Sequence, residues 1–196
     1  MKLIHLMLTV VLFIAFTANV NAQSRELSKD EKKELENEVK ESLNNLDGWL
    51  VKPGALSLQA QQRRSSQVQL FEDDKWLVGS ASSVGSVYDA ARLQAMTLAK
   101  SEVAGQMETQ ISELIDAKVA NKELGQGTAE SVTEIAMKSK AITVDKKVKR
   151  PRILMECYKN LPNGNVEVLI RLAIDKNTIN DLAEEIVDDA IKQAQE

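Results

Sequence analysis

The stretch GSASSVGSVYDAARLQAMTLAKSEVAGQM, residues 79–107, decides the fold. Its first part is rich in glycine and serine. After Val87, alanine recurs at helical spacing, at Ala91, Ala95 and Ala99. This spacing indicates a helix with one face of small residues, which can lie close against a sheet. We predict a strand over 75–83, ending in small residues, that leads into a helix from Val87 to about Ala120.

The glycine residues of this stretch raise the question of a phosphate-binding loop. Such a loop needs Lys and then Ser or Thr after its last glycine, whereas Gly85 is followed by Ser86 and Val87. The Gly-x-Gly-x-x-Gly pattern of dinucleotide sites is also absent from the sequence. The pattern favours small residues that make room where a strand passes into a helix. An anion at the helix N-terminus stays an alternative.

The segments around this stretch predict further helices and a hairpin. Ser28 and Glu31 form a capping-box pattern before a helix over 29–46, and a polar helix or extended arm follows it. After residue 107 we predict a short helix over 129–140. Residues 141–174 then read as strand, turn and strand, with Asn163-Gly164 as the hairpin turn. An amphipathic helix capped by Asp175 or Thr178 ends the chain.

Together these elements predict an α+β domain. A small antiparallel sheet of about three strands packs one face against a long Ala-rich helix, with additional N- and C-terminal helices. We expect four segments: a signal peptide over 1–22, a helical N-terminal extension over 23–72, an α+β core over 73–175, and a C-terminal amphipathic helix over 176–196 that packs on the core.

The first residues, MKLIHLMLTVVLFIAFTANVNAQ, are typical of a cleaved secretory signal. One Lys precedes an apolar run that is shorter than the roughly 20 residues of a comfortable membrane span. We predict cleavage after Ala22, export, and a location in the periplasm or at the periphery of the cell envelope. The residue directly after the cleavage site is not a cysteine, and no later apolar run is long enough to span a membrane.

The residue inventory argues against several classes of chemistry. The only histidine is His5, in the predicted signal, and the only cysteine is Cys157. We therefore expect no enzyme, and no catalytic, cofactor or metal site. A carboxylate-based hydrolase stays a minor alternative; it would need two acids facing each other across a cleft, drawn from Glu102, Glu108, Glu113 and Asp116. A net charge of −4 argues against a nucleic-acid partner.

A basic run is the one candidate binding patch: Lys146, Lys147, Lys149, Arg150 and Arg152. It could hold an acidic envelope polymer or the acidic face of a partner. Alternatively, its lysines are a solvated strand edge that discourages edge-to-edge pairing.

Cys157 and the two tryptophans allow two readings each. Ile153, Met155 and Cys157 alternate onto one face, which favours a buried structural thiol over a redox or dimer-forming cysteine. Trp49 and Trp76 are read as core anchors, with ligand stacking as the alternative.

The pattern WLVGSASSVGSVYDAARLQAMTLAKSEVAGQM, with the later NVEVLIRLAID, resembles the small bacterial envelope lipoproteins of the twenty-kilodalton lipoprotein type. It is also similar to the N-terminal domain of flagellar assembly protein T. The resemblance covers about residues 73–175. It implies an envelope-associated α+β domain with an assembly-related role and no catalytic residues to carry over. Because the lipidation cysteine is missing, the lipoprotein mode of membrane attachment does not transfer.

These observations predict a non-catalytic exported protein that serves as a structural or protein-interaction module in cell-surface assembly or maintenance. It would present an exposed helix or strand edge to an envelope protein. The alternative is a periplasmic binding module for an anionic or saccharide ligand, using the basic run and Trp49, with peripheral contact to membrane or polysaccharide.

Overall fold

A computed structural model describes residues 26–121 and 123–195. The predicted signal peptide over 1–22 and its cleavage after Ala22 lie outside the described residues. Residues 34–196 form one compact unit, and residues 26–33 belong to a separate one. In the latter, the Ser28 N–H donates to the Glu31 carboxylate (2.8 Å) and the Glu31 N–H donates to Ser28 Oγ (3.3 Å). The predicted capping box is thereby confirmed.

The described residues form helices and strands that do not alternate regularly along the chain. In order they are α1 (Lys29–Asn44), α2 (Leu58–Phe71), β1 (Trp76–Gly85), α3 (Tyr88–Gln106), α4 (Glu108–Ala120), α5 (Gln126–Lys147), β2 (Arg152–Asn160), β3 (Val166–Asp175) and α6 (Lys176–Ala194). The strands form an antiparallel sheet in the order β1-β3-β2. The predicted α+β class, with a three-stranded antiparallel sheet and a long Ala-rich helix, is confirmed.

One face of the sheet packs against α3 and carries most of the apolar core. Val168, Ile170 and Leu172 of β3 are fully buried there with the alanine face of α3. Gly79 shows how close the two elements lie, because a Cβ atom at this position would stand 2.0 Å from the Ala99 carbonyl oxygen. At Gly85 a Cβ would stand 2.9 Å from the Ala91 nitrogen. The small residues of 79–107 therefore serve close packing, as predicted.

The predicted helix over 87–120 is divided in two. The α3 and α4 helices meet at Met107, which is fully buried and closes one helix while it opens the next. Gly105 lies two residues before this break, where low helix propensity weakens the last turn of α3. Leu98 is 44% exposed and lies off the buried face of α3, whereas Ile115 of α4 is buried.

The predicted strand at residue 141 was wrong. Residues 141–147 continue α5, and β2 begins only at Arg152. The β-branched residues of this segment favour a strand by propensity. Burial overrides that preference because Val132, Ala136 and Val144 recur at multiples of four and join the core along one side of the helix.

Helices cover both faces of the sheet, not one as predicted. The second face packs against α2 around a small apolar cluster of Val68, Leu154 and Ala173. A bulge between Ile153 and Met155 shifts the alternation of β2. Ile153 therefore joins the first face, while Met155 and Cys157 lie on the second, so the three residues do not share a face as predicted.

The hairpin and the last helix follow the sequence signals. Gly164 has φ +81° in the turn between β2 and β3, and its N–H donates to the Leu161 carbonyl. Of the two predicted caps, Asp175 is used; its carboxylate accepts from the N–H groups of Asn177 and Thr178. Among the described residues, no helix is both long and apolar enough to cross a membrane.

Candidate functional site

The basic run spans the end of a helix, a loop and the start of a strand. Lys146 and Lys147 end α5, the next basic residues follow in a loop, and Arg152 opens β2, so the run is not a strand edge as one reading had it. Lys147 Nζ lies 2.7 Å from Glu185, and this hydrogen bond raises the pKa of the lysine. Arg152 Nη1 lies 3.5 Å from a Glu72 oxygen. The three other cations are exposed, and no ion pair is seen for them within the described chain: Lys146, Lys149 and Arg150.

The four candidate acids are exposed and do not converge. Glu102 accepts a hydrogen bond from the Ser80 N–H, and Glu108 lies 2.7 Å from Lys140 Nζ. Glu113 lines a shallow cleft, of about 290 Å³, between α4 and α6. This arrangement gives no support to paired-carboxylate chemistry. Within the described ranges, no cluster of three or more His, Cys, Asp or Glu side chains could hold a metal ion.

Cys157 is 1% exposed, which confirms the buried thiol. Burial raises its pKa to about 12, so the thiol is protonated at neutral pH. Trp76 packs against the second-face cluster, donates from Nε1 to Glu72 (3.2 Å) and lies under the Arg152 guanidinium. Trp76 and Trp49 are both half-buried, and of the two, Trp76 is the one that packs against a core cluster of the described residues.

A carboxylate clamp, formed by Tyr88, Arg92 and Glu156, joins the start of α3 to β2. Arg92 donates to both oxygens of Glu156, from Nε at 2.9 Å and from Nη2 at 3.0 Å, and the Tyr88 hydroxyl donates at 2.5 Å. Lys52 Nζ stands 3.7 Å from the centre of the Tyr88 ring. The side chain of Tyr158 meets the same ring edge-on.

The electrostatics of the clamp keep Glu156 ionised and Tyr88 protonated at neutral pH. Burial works to raise the pKa of Glu156, but the hydrogen bonds from Arg92 and Tyr88 outweigh it, so the pKa lies below its usual range. Burial and the bond to Glu156 raise the pKa of Tyr88. Neither group is poised near neutral pH for proton transfer. The clamp is therefore a tie between elements, and sequence analysis missed it because 64 and 68 residues separate its partners.

A second polar cluster lies between α2 and the sheet. Arg171 Nη1 donates to Ser65 Oγ (2.9 Å), and Gln62 Nε2 donates to Ser66 Oγ (3.0 Å). Arg171 Nε and Gln62 Oε1 are buried without a hydrogen-bond partner in the described part of the chain. Burial lowers the pKa of Arg171. The Arg171–Ser65 hydrogen bond joins α2 to the sheet, whereas the Gln62–Ser66 bond lies within the helix.

The β2 edge of the sheet is closed by the chain itself. Leu50 forms an isolated bridge with Tyr158: each N–H donates to the other's carbonyl, at 2.7 and 2.8 Å. Next along the strand, the Glu156 N–H donates to Gln61 Oε1 (2.7 Å). The Tyr158 N–H and C=O and the Glu156 N–H, which point outward from this edge strand, are therefore paired.

The β1 edge is closed over its first half only. The Ser80 N–H donates to Glu102 (2.5 Å), and Gln106 Nε2 donates to the Val78 carbonyl (2.8 Å). Because β1 pairs with β3 without a bulge, Ser82 and Val84 aim their backbone groups outward as well. Over residues 26–121 and 123–195, no hydrogen bond to these outward groups is seen.

Two exposed apolar side chains, Val84 and Val87, form an apolar rim near this open edge. Val84 is 47% exposed and Val87 is 58% exposed. Leu50 is 46% exposed as well, but its bridge to Tyr158 places it beyond β2, at the opposite edge of the sheet from β1. Residues 76–88 contain no charge, although natural edge strands commonly carry one.

A larger open cleft, of about 690 Å³, lies between α1 and α2 and is lined by Val39, Leu43 and Arg63 among others. It does not include the apolar rim or the basic run.

No protein-family model, curated protein or solved structure matches this chain.

Proposed function

We propose that this protein is a non-catalytic exported protein of the cell envelope that acts as a protein-interaction module in surface assembly or maintenance. The apolar rim beside the open half of β1 carries this proposal. The signal-peptide pattern over 1–22 and the resemblance of 73–175 to envelope lipoproteins support the location.

The rim favours a protein partner because its exposed surface is apolar and uncharged. Removing such surface from water stabilises a complex by about 25 cal/mol per Å² of apolar area. Exposed apolar residues beside unpaired strand groups are typical of a surface that another chain covers.

The experiment is cross-linking of the full chain in its cell envelope, followed by recovery of bound protein. We expect Val87→Glu to lower the recovery by about tenfold, or 1.4 kcal/mol, because it places a charge within the rim. Ile142→Glu is the matched control, since Ile142 is 57% exposed but lies on α5. Thermal unfolding should show both variants folded. Equal recovery from the two variants, or recovery of polysaccharide alone, would contradict the proposal.

A second candidate is binding of an anionic or saccharide envelope ligand. The observation that favours it is a set of exposed cations at and just after the end of α5 for which the described part of the chain shows no acidic partner: Lys146, Lys149 and Arg150. Replacing these three and Lys147 with Gln should abolish salt-sensitive retention on immobilised polygalacturonate. Unchanged retention would remove this candidate.

A further inference from the structure

We propose that the partner binds by strand addition: an extended, uncharged segment of another protein lies along β1 at Ser82–Val84. This inference rests on the proposed function and names how the partner is held. It concerns the backbone of β1, whereas the rim concerns the side chains beside it.

The outward groups of Ser82 and Val84 set the chemistry of the ligand. Each residue presents one N–H and one C=O on the same side, spaced two residues apart along a regular strand. A row of alternating donors and acceptors with this spacing is matched by the backbone of another strand. A net contribution of about 0.5–1.5 kcal/mol per hydrogen bond makes the backbone a substantial part of such an interface.

Side chains from α3 limit where the added strand can lie. Glu102 and Gln106 already bond the outward groups of Ser80 and Val78. The added segment therefore ends near Ser82 and continues past Gly85, in the direction of Val87. The added segment is therefore short, and the side chains of Glu102 and Gln106 fix its register on β1.

The absence of charge in residues 76–88 selects an uncharged segment. A charged side chain directly beside Val84 would lose hydration without an ion-pair partner on β1. Small or β-branched residues fit best, because they favour extended backbone and pack against exposed Val84.

A second copy of this chain is obstructed at the same edge in the register centred on Ser83. Symmetric antiparallel pairing about Ser83 would place Ser82 opposite the other copy's Val84. The same register brings the other copy's segment 86–88 opposite Val78–Ser80, where Glu102 and Gln106 cover the strand. This obstruction favours a segment of a different protein as the occupant.

The test compares Ser82→Pro with Ser82→Ala. Proline removes the outward N–H and is tolerated at an edge position whose N–H does not bond within the sheet, while alanine keeps that N–H. In the envelope cross-linking experiment we expect Ser82→Ala to recover partner like wild type. Ser82→Pro should recover about tenfold less.

A second readout does not depend on a variant that folds. In the purified wild-type complex, hydrogen exchange at the Ser82 and Val84 amides should slow by at least about tenfold relative to the free protein. Unchanged exchange at both amides would overturn strand addition. So would a homodimer in sedimentation that Ser82→Pro dissociates, because the occupant would then be a second copy.

The outcomes separate this inference from the proposed function. If Val87→Glu loses the partner while Ser82→Pro keeps it, strand addition is wrong and the interaction module stands. If wild type recovers no protein, both fall.

Discussion

The two edge strands of the sheet, β1 and β2, differ in how their outward backbone groups are hydrogen-bonded. The strands are of similar length, and both flank β3. The β2 edge is paired by main chain at Leu50 and by the buried side chain of Gln61. Within residues 26–121 and 123–195, the β1 edge receives hydrogen bonds from side chains of α3 alone, and these stop at Ser80.

This difference indicates which edge is covered by the chain itself and which is open to pairing with another protein. Unpaired strand edges invite other chains, and proteins commonly cover or charge them. On β2 the chain covers the edge with its own segment. On β1 half of the strand is left uncovered and uncharged, and an apolar rim lies beside it. The available edge is therefore the one where a partner is expected.

The largest expected effect concerns how α3 holds β1. Gly79→Ala should destabilise the fold by about 3 kcal/mol or more, because the new Cβ would meet the Ala99 carbonyl oxygen at 2.0 Å and the backbone must shift. Gly105→Ala is the matched control within α3. It has no atom within 4 Å of the new Cβ and should stabilise by about 0.5–1 kcal/mol. Urea denaturation measures both. A Gly79→Ala protein as stable as wild type would contradict the close contact.

The next effect concerns the closed β2 edge. Gln61→Ala removes the acceptor of the Glu156 N–H and leaves this part-buried donor unpaired, which should cost about 1–2 kcal/mol. Gln59→Ala, on the same helix, is the control because Gln59 is exposed. If the two variants unfold at the same urea concentration, Gln61 does not hold this edge.

A smaller effect follows from the pKa of Glu156. Because its folded-state pKa is lowered, the clamp's stabilisation is present above the unfolded value of about 4.3 and is lost as pH falls through the folded value. Wild type should lose about 1 kcal/mol more than Glu156→Gln on going from neutral pH to below pH 4, a modest difference because solvent screens a partly exposed pair. Parallel pH dependence of the two free energies of unfolding would contradict this assignment.

The smallest effect concerns the covered half of the β1 edge. Glu102→Ala removes the partner of the Ser80 N–H at an exposed position, so we expect a loss below about 1 kcal/mol. Exchange of the Ser80 amide should nevertheless become as fast as that of Ser82. If Ser80 stays protected in this variant, another group closes the edge.

The parts of the fold that sequence revealed are those with local signals. The glycines and alanines of 79–107 indicated a close strand-to-helix contact, and Asn163-Gly164 indicated the hairpin. The strand expected at 141 failed because Val144 is buried on a helix face together with Val132 and Ala136, which only the tertiary fold determines.

The features of the candidate site depend on distant pairing and were invisible to local patterns. Glu102 has the sequence signature of a solvated helix acid, yet it bonds a strand edge 22 residues earlier. The Glu156 clamp joins residues 64 and 68 positions apart. No periodicity in one chain encodes such contacts, so neither the closed nor the open edge could be predicted.

Amide hydrogen exchange of the free protein tests the difference between the edges most directly. The outward amides of Glu156 and Tyr158 on β2 should exchange slowly, because both donate hydrogen bonds within the fold. The outward amides of Ser82 and Val84 on β1 should exchange at least about tenfold faster under the same conditions. Equal protection of the two pairs would show that β1 is as closed as β2 and would contradict an edge held open for a partner.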